Sequence, residues 1–534
     1  AKEAALFASE ALGSDPELGL LLPNIFRGVA YRMGEKHWAG AAKDFIRLCD
    51  DRLADLESYI NNIGQVPPPF NIGHGSLMKH FVEQVTSILP YRRVIFHVFI
   101  DEFENLFEYQ QVAINTLLKH SSSSLIYNIG TRRKGIRTHR TLNQEEIVQA
   151  PHDYRSYSPE DDMKEGEFKD LLKEICRKRF QRHGVPGGPA GKWHDIEFYL
   201  GRYDTAKEVE FITKSERKEL YHKKKLKEII QKEIEDQHES KELYDLLVDD
   251  ENPLASRLHL CLLLRNQRYR PSVRELASEF RSWKKGQSQK YQDWWHNTRF
   301  ALVFLLAREY KQHKMYFGFD AFMMLSSGIV RYFLELCLHT FSYAFTDGFS
   351  FDRPVEIPIQ TQTWASRYVS RYKIDEIMTY SPYGTRLQKF VLVLGSIFES
   401  LHKNKDTTLG EPEINHFHTK TLELLSGDKE ILDSAMMWGV LQEREPTKDK
   451  SPDLSLEAQE YHLNHIYCPY FEISYRRKRR LLINPAHLHV LLSHDIEKAR
   501  STAKEILLLH GVGPLSSEET TSPASVQLCM FERR

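Results

Sequence analysis

One short apolar run ends in two adjacent carboxylates, and this feature restricts the fold more than any other in the chain. The segment RRVIFHVFIDEFENL predicts a strand over residues 94–100, with Asp101 and Glu102 directly after it. Ligands of open α/β sheets bind beyond the carboxyl ends of the strands. An aspartate there can hold Mg²⁺ through water, and an adjacent glutamate can deprotonate an attacking water. The plainer alternative is a buried strand followed by the acidic first turn of a helix.

Further strands and helices around this run indicate a parallel sheet. Apolar stretches at residues 26–31, 94–100 and 125–129 predict strands, and residues 76–89 and 109–120 predict helices. Strands that alternate with helices are typical of a parallel sheet flanked by helices. Residues 1–160 are therefore predicted to form an α/β core.

The composition is that of a globular protein with more than one domain. The 534 residues are 41% hydrophobic and 28% charged, with a net charge of -1, so a polyanion must be bound by a local cluster of basic residues. The six cysteines are scattered without a CxxC pair, so neither a disulfide framework nor a cysteine zinc site is predicted. Every apolar run is shorter than the ~20 residues of a membrane helix. We expect a cytoplasmic protein without a membrane partner.

Helices dominate the rest of the chain, which we divide into four further regions. Residues 161–251 are dense in charge with a narrow apolar stripe, and they predict a solvent-exposed helical insertion. Residues 252–350 predict strongly apolar helices, and residues 351–512 predict helices followed by an alternating strand pair. Residues 513–534 are rich in serine, threonine and glutamate and predict a flexible tail.

A serine-glycine pair opens one of the predicted apolar helices. The segment MLSSGIVRYFLELC, residues 324–337, resembles the sensor 2 helix of the origin-recognition-complex-like AAA+ family, and Arg331 holds the place of the arginine that points at the nucleotide. The alternative is an ordinary helix in which Arg331 pairs with Glu335. The resemblance implies an α/β fold: a P-loop AAA+ type parallel sheet core, a helical lid over residues 252–350 and a C-terminal winged-helix domain over residues 351–512.

The resemblance also implies roles for residues around the sheet. The acidic pair takes the place of a Walker B motif. The polar residues Asn128 and Thr131, at the end of the next strand, match sensor 1, and Arg132 or Arg133 match arginines that contact nucleotide. A helix-capping asparagine or threonine and solvated arginines explain the same residues equally well.

A run of five basic residues lies in the predicted winged-helix region. Within residues 460–483 a strand pattern is interrupted by Arg476, Arg477, Lys478, Arg479 and Arg480. Basic residues beside a strand pair suit phosphate contacts without base recognition, which makes this run the candidate nucleic-acid site. A charged hairpin that protects a sheet edge explains the run equally well.

The phosphate-binding loop GxxxxGK[ST] is not found in this sequence. The segment at residues 187–193 lacks the glycine spacing and the Ser/Thr, and the segment at residues 73–79 follows no predicted strand. The first residues predict an amphipathic helix with no capping residue before it. Because the first strand of this fold precedes that helix, we expect the loop to lie outside the given sequence.

Two functions are expected, and the first is what the resemblance to the AAA+ family implies. The first is an AAA+ type switch that binds and hydrolyses ATP with Mg²⁺, forms homo-oligomers and regulates an effector protein or DNA. The resemblance extends to bacterial members, which implies a place in anti-phage defence. The second is a non-hydrolysing DNA-binding or scaffold protein that retains the ATPase architecture, which the missing loop favours.

Five histidines near the end of the chain also invite a metal interpretation. They are His416, His418, His487, His489 and His494. No cysteine or carboxylate spacing accompanies them, so we expect surface histidines instead.

Overall fold

Two compact units make up the structure, a computed structural model of the chain. The structure describes residues 22–38, 40, 42–69, 76–88, 95–158, 163–214, 220–265, 267–403, 413–444, 458–476 and 479–512. The first unit spans Ala1–Ser158 and the second spans Pro159–Arg534. The fold is mixed α/β and mostly helical, with a two-stranded and a four-stranded sheet among the described residues. Every described helix is either too short or too polar to cross a lipid bilayer.

The first unit contains a short parallel sheet. Strand β1, Phe96–Ile100, pairs in parallel with strand β2, Leu125–Ile129, so both strands end at the same edge. Alternate residues of β1, Phe96 and Val98, pack on a core of helical side chains, while Phe99 is exposed. The predicted strands at residues 94–100 and 125–129 are thus confirmed. The helices among the described residues of this unit are Leu22–Arg32, Ala42–Asn61, Ser76–Ile88 and Glu108–Lys119, with a 3-10 turn at Phe103–Asn105.

The predicted strand at residues 26–31 was wrong, because this segment lies within the helix Leu22–Arg32. Its buried residues recur with the period of a helix: Ile25 and Phe26, then Val29 and Ala30, then Met33 beyond the helix end. The short window FRGVAY fits a strand, but the longer window has the helical spacing. The two predicted helices at residues 76–89 and 109–120 are confirmed as Ser76–Ile88 and Glu108–Lys119.

The second unit is built mainly from helices around two hydrophobic cores. Its described α-helices are Glu165–Arg182, Ile196–Leu200, Thr205–Thr213, Tyr221–Glu233, Gln237–Leu247, Pro253–Leu263, Val273–Lys284, Gln289–Glu309, Phe319–Leu325, Val330–Thr346, Ile359–Glu376, Gly384–Lys403, Ser426–Met437, Cys468–Phe471, Pro485–Leu492 and Ile496–Leu509. Its 3-10 segments are Pro189–His194, Ile377–Thr379, Thr421–Glu423 and His465–Tyr467. The division of the chain into five domains stays a prediction.

The charged segment that begins the second unit does not project into solvent as a separate hairpin. Its apolar stripe, Leu220, Leu226, Ile230 and Ile234, is buried. These side chains share one core with apolar residues of the helices that follow, up to Tyr310. A narrow stripe is enough for burial here, because the neighbouring helices supply the rest of the apolar surface.

The second sheet has four strands in the order β4-β5-β3-β6. They are β3, Ile414–Lys420, β4, Leu441–Arg444, β5, Ala458–Leu463, and β6, Arg479–Leu482. Strand β5 pairs antiparallel with β3 and β4, and β6 pairs in parallel with β3.

The predicted strand pair within residues 460–483 was wrong in its connection. After β5 the chain forms the helical turns His465–Tyr467 and Cys468–Phe471, the second with Pro469 in its first turn, where proline suits a helix. Among the described residues, β6 pairs with β3 and not with β5. Arg479 and Arg480 therefore lie on a strand that pairs with β3, and not on a hairpin with β5. Assignment of this region to a winged helix stays a prediction.

Candidate nucleotide site

The two acidic residues lie where the chain leaves β1. Asp101 and Glu102 are both exposed, and Glu102 has a left-handed backbone with φ of 53°. The Glu102 N–H donates to Asp101 Oδ1 at 2.8 Å, and Asn105 Nδ2 donates to Glu102 Oε2 at 3.1 Å. A left-handed residue other than glycine costs about 1–3 kcal/mol and occurs often at functional sites. Glu102 thus lies in a turn and does not continue the strand.

The end of β2 lies against this acidic turn. The Gly130 N–H donates to the Ile100 carbonyl at 2.8 Å, and the Phe103 N–H donates to the Gly130 carbonyl at 3.1 Å. A Cβ added to Gly130 would lie 2.7 Å from Asp101 Oδ1. Glycine is therefore what allows the Asp101 carboxylate to lie over the end of the neighbouring strand.

A buried glutamate ties the acidic turn to the loop after β2. Glu104 is only 4% exposed. Its Oε2 accepts from the Arg132 N–H at 3.2 Å, and its Oε1 lies 3.1 Å from Arg132 Nε. Arg137 Nη2 donates to the Glu104 carbonyl at 3.0 Å. The sequence analysis missed Glu104, which positions Arg132, the predicted nucleotide-contacting arginine.

Two buried amides of the helix Glu108–Lys119 hold the same loop. Gln111 Nε2 donates to the Phe103 and Gly135 carbonyls, both at 3.0 Å, and Gln111 Oε1 accepts from the Arg137 N–H at 2.9 Å. One turn later, Asn115 Nδ2 donates to two further loop carbonyls at 2.9 and 3.0 Å. Polar residues four apart on the buried face of a helix were the available sequence indication, because buried amides need partners.

The two predicted sensor 1 residues differ in their position relative to β2: one lies within the strand and the other lies beyond its end. Asn128 is inside β2, opposite Phe99, with Nδ2 3.2 Å from His97 Nδ1 and 3.5 Å from the Val98 carbonyl. Thr131 lies beyond the strand end, where its hydroxyl donates to the Arg132 carbonyl at 3.3 Å. The structure thus brings Thr131 and Arg132 to the edge that carries the acidic pair. Asn128 instead faces the middle of β1.

Arg331 belongs to the second unit. It lies in the first turn of the helix Val330–Thr346, where its Nε is 2.9 Å from Glu335 Oε1. This hydrogen bond raises the pKa of the Arg331 guanidinium. The preceding Ser327 and Gly328 form a left-handed turn, with φ of 52° and 82°. The simple i,i+4 pair is present, and a nucleotide contact stays a prediction.

The basic run is described only in part. The Arg476 guanidinium lies 4.0 Å above the Phe300 ring, and the residue is half-buried. Arg480 lies on β6 opposite His416. Arg477 and Lys478 are outside the described residues, and so is the side chain of Arg479. The Arg476 side chain is thus engaged by the protein itself.

The expectation that the five histidines lie on the surface was partly wrong. His416 is only 3% exposed, and His418 is half-buried, because both lie on the inner strand β3. Burial is the first cause that lowers the pKa of His418, followed by the charge of Arg480. His489 and His494 are exposed as predicted, and His487 is half-buried.

An acidic pair at the carboxyl end of a parallel strand, beside polar residues at the end of the next strand, is an arrangement of nucleotide-binding α/β proteins. The sequence profile of the ORC-CDC6-like family matches residues 25–483. The chain belongs to this family of ORC/CDC6-like AAA+ ATPases, and the predicted family is confirmed. No curated protein and no solved structure matches the chain.

Proposed function

We propose that the chain is an ATP-binding and ATP-hydrolysing molecular switch of the AAA+ type. The observation that carries the proposal is the position of Asp101 and Glu102 at the carboxyl end of β1, in a member of this family. Their exposed carboxylates leave both groups accessible to a ligand at the sheet edge.

Each residue at the edge of the sheet has a separate role in ATP hydrolysis. Asp101 supplies carboxylate oxygens, the ligands that Mg²⁺ prefers, and would hold the ion. The ion would neutralise phosphate charge when bound. Glu102 orients a water and accepts its proton, and its bond from Asn105 holds one carboxylate oxygen in place. Thr131 and Arg132 contact phosphate oxygens, with Arg132 oriented by the buried Glu104.

Oligomerisation and the regulation of a partner belong to the same proposal. Homo-oligomers would let an arginine of one subunit complete the site of the next, and Arg331 is our candidate for a nucleotide-contacting arginine of the lid. The run from Arg476 to Arg480 is the candidate contact for DNA. The switch would license an effector protein, and anti-phage defence is the setting that we propose.

A second candidate function is a non-hydrolysing DNA-binding or scaffold protein. The given sequence lacks a GxxxxGK[ST] segment, and this observation favours the second candidate. The two candidates differ in one measurable property, which is turnover of ATP by the full chain.

Glu102→Gln tests the proposal. The amide keeps the shape of the side chain but cannot accept a proton, so nucleotide affinity should stay within a few-fold while phosphate release falls by about 10²-fold or more. Glu108→Gln, another exposed glutamate of the same unit, is the matched control and should behave as wild type. Equal turnover in Glu102→Gln and wild type would remove Glu102 from the mechanism. Nucleotide binding without turnover in wild type would favour the second candidate.

A further inference from the structure

Two histidines and a glutamate converge on one face of the four-stranded sheet. His416 on β3 lies directly opposite His462 on β5, and Glu460 lies two residues before His462 on the same face. One ligand atom from each residue lies within 4.8 Å of the other two. The two imidazole rings stack in parallel, with centroids 4.4 Å apart. All three side chains are buried, with at most 4% exposed.

The spacing of the three atoms is close to that of ligands around one ion. His416 Nε2 lies 3.4 Å from Glu460 Oε1, and His462 Nε2 lies 2.7 Å from the same oxygen. Ligands of a tetrahedral zinc ion, each at about 2.0–2.1 Å from the metal, are about 3.3 Å apart. The observed separations lie on either side of this value. The two separations that involve Glu460 Oε1 are therefore compatible with ligands of a single ion.

The neighbouring amide of Asn415 fixes which nitrogen of His416 carries a hydrogen. Asn415 Nδ2 donates to the Ser474 and Arg476 carbonyls at 2.8 and 3.2 Å, so its Oδ1 is the atom that lies 3.0 Å from His416 Nδ1. An amide oxygen only accepts, so His416 Nδ1 donates. With Nδ1 as the donor, Nε2 is the ring nitrogen that can offer a lone pair to a metal ion.

The same hydrogen bond is the usual support of a metal-binding histidine. Such a histidine donates a hydrogen bond from the N–H of its second ring nitrogen to a carbonyl or carboxylate. This bond fixes the tautomer and the orientation of the ring. In His416 the acceptor is the Asn415 amide, itself held by two backbone carbonyls. The ring is therefore oriented before any ion binds.

We propose that His416 Nε2, Glu460 Oε1 and His462 Nε2 bind one divalent transition metal, with Zn²⁺ as the best match. Two imidazoles and one carboxylate suit zinc better than magnesium or calcium, which prefer oxygen ligands. The three ligands leave one position of a tetrahedral ion for water.

The site cross-links β3 to β5 in the second unit. His416 on β3 lies more than forty residues before Glu460 and His462, which are both on β5, and the two strands pair directly. The proposed nucleotide site belongs to the first unit, so the metal proposal does not rest on it. The expected consequence of the ion is a more stable sheet, because metal binding energy adds to folding energy.

The test uses the full chain without an affinity tag, after dialysis against Zn²⁺. Elemental analysis should give about one zinc per chain. Replacement by Co²⁺ should give the intense visible absorption of a tetrahedral site, and chelation should lower the melting temperature until Zn²⁺ is restored. These measurements on wild type need no variant. A folded wild-type chain that binds neither metal overturns the proposal.

Variants then locate the ion. Glu460→Gln and His462→Gln should lower the affinity for Zn²⁺ by more than the about 10- to 100-fold lost when an outer partner of a metal ligand is removed. The control is His489→Gln, which removes an exposed histidine beside Asp428 in the same unit. This control should keep the zinc content and the cobalt spectrum of wild type. Retention of both by a folded Glu460→Gln chain would place the metal elsewhere and overturn the proposal.

Discussion

Gln111→Leu should detach the loop that follows β2 from the helix Glu108–Lys119. The Gln111 side chain is fully buried and makes three hydrogen bonds to the backbone of the acidic turn and this loop. Leucine fills similar space but makes none of these bonds. Thr131 and Arg132 lie on this loop, so we also expect slower ATP turnover.

The expected loss of stability depends on which hydrogen bonds the former partners of Gln111 keep in the variant. The Phe103 carbonyl keeps the Leu106 N–H at 3.2 Å, and the Arg137 N–H lies in an exposed residue where water can replace the amide. The Gly135 carbonyl is buried and bears most of the loss. An unsatisfied buried group costs about 1–3 kcal/mol, so we expect the free energy of unfolding to fall by about 2 kcal/mol. For a unit of this size, the melting temperature should fall by about 4–8 °C.

Calorimetry gives the melting temperature of the first unit, and amide hydrogen exchange gives the local effect. The Arg137 N–H should exchange faster, because its acceptor is removed. Glu108→Gln, in the first turn of the same helix, is the control and should change stability by less than about 0.5 kcal/mol. Unchanged melting and unchanged exchange at Arg137 in Gln111→Leu would refute the claim that this amide holds the loop.

Two further changes test other parts of the structure. Arg331→Ala should shift the melting temperature of the apo protein by less than about 2 °C, because an exposed ion pair is worth under about 1 kcal/mol, yet it should lower ATP turnover. A large loss of apo stability would make Arg331 structural. Burial lowers the pKa of His259 from 6.5 to about 4, so the unfolded chain binds an additional proton between these pH values. Stability should therefore fall by up to about 3 kcal/mol as the pH drops from 6.5 to 4. His259→Gln should remove this part of the slope in urea unfolding series, and an unaltered slope would contradict the assignment.

The parallel sheet was predictable because its indications are local. A buried strand is a short apolar run, and the polar residues that end it mark the sheet edge, as for residues 94–102. The segment at residues 26–31 shows the limit of such short windows. This six-residue segment fits both a strand and a helix, and only the spacing of buried residues out to Met33 decides for the helix.

The supporting residues of the site were not predictable because their partners are distant and are mostly backbone atoms. Gln111 bonds to a carbonyl 24 residues away, and Glu104 bonds to an N–H 28 residues away. Side-chain type alone does not reveal such partners. The left-handed turn at Glu102 was also hidden, because a glutamate rarely adopts positive φ and gives no indication of it in the sequence.

The topology of the second sheet depends on pairing between strands that are far apart in sequence. Alternation near residues 460–483 indicated two strands but could not show that both pair with β3. The helical turns between them separate β5 from β6. The pairing of β3 with β5 also places His416 opposite His462, although their spacing in the sequence indicated no metal site.

The central claim is that nucleotide binds at the edge where β1 and β2 end. Amide hydrogen exchange of the full chain, with and without a slowly hydrolysed ATP analogue and Mg²⁺, tests it directly, because a bound ligand slows local opening. We predict slower exchange in residues 101–105 and 130–133, and loss of this protection in Asp101→Ala. Unchanged exchange in both segments, at a nucleotide concentration that protects another part of the chain, would contradict the account.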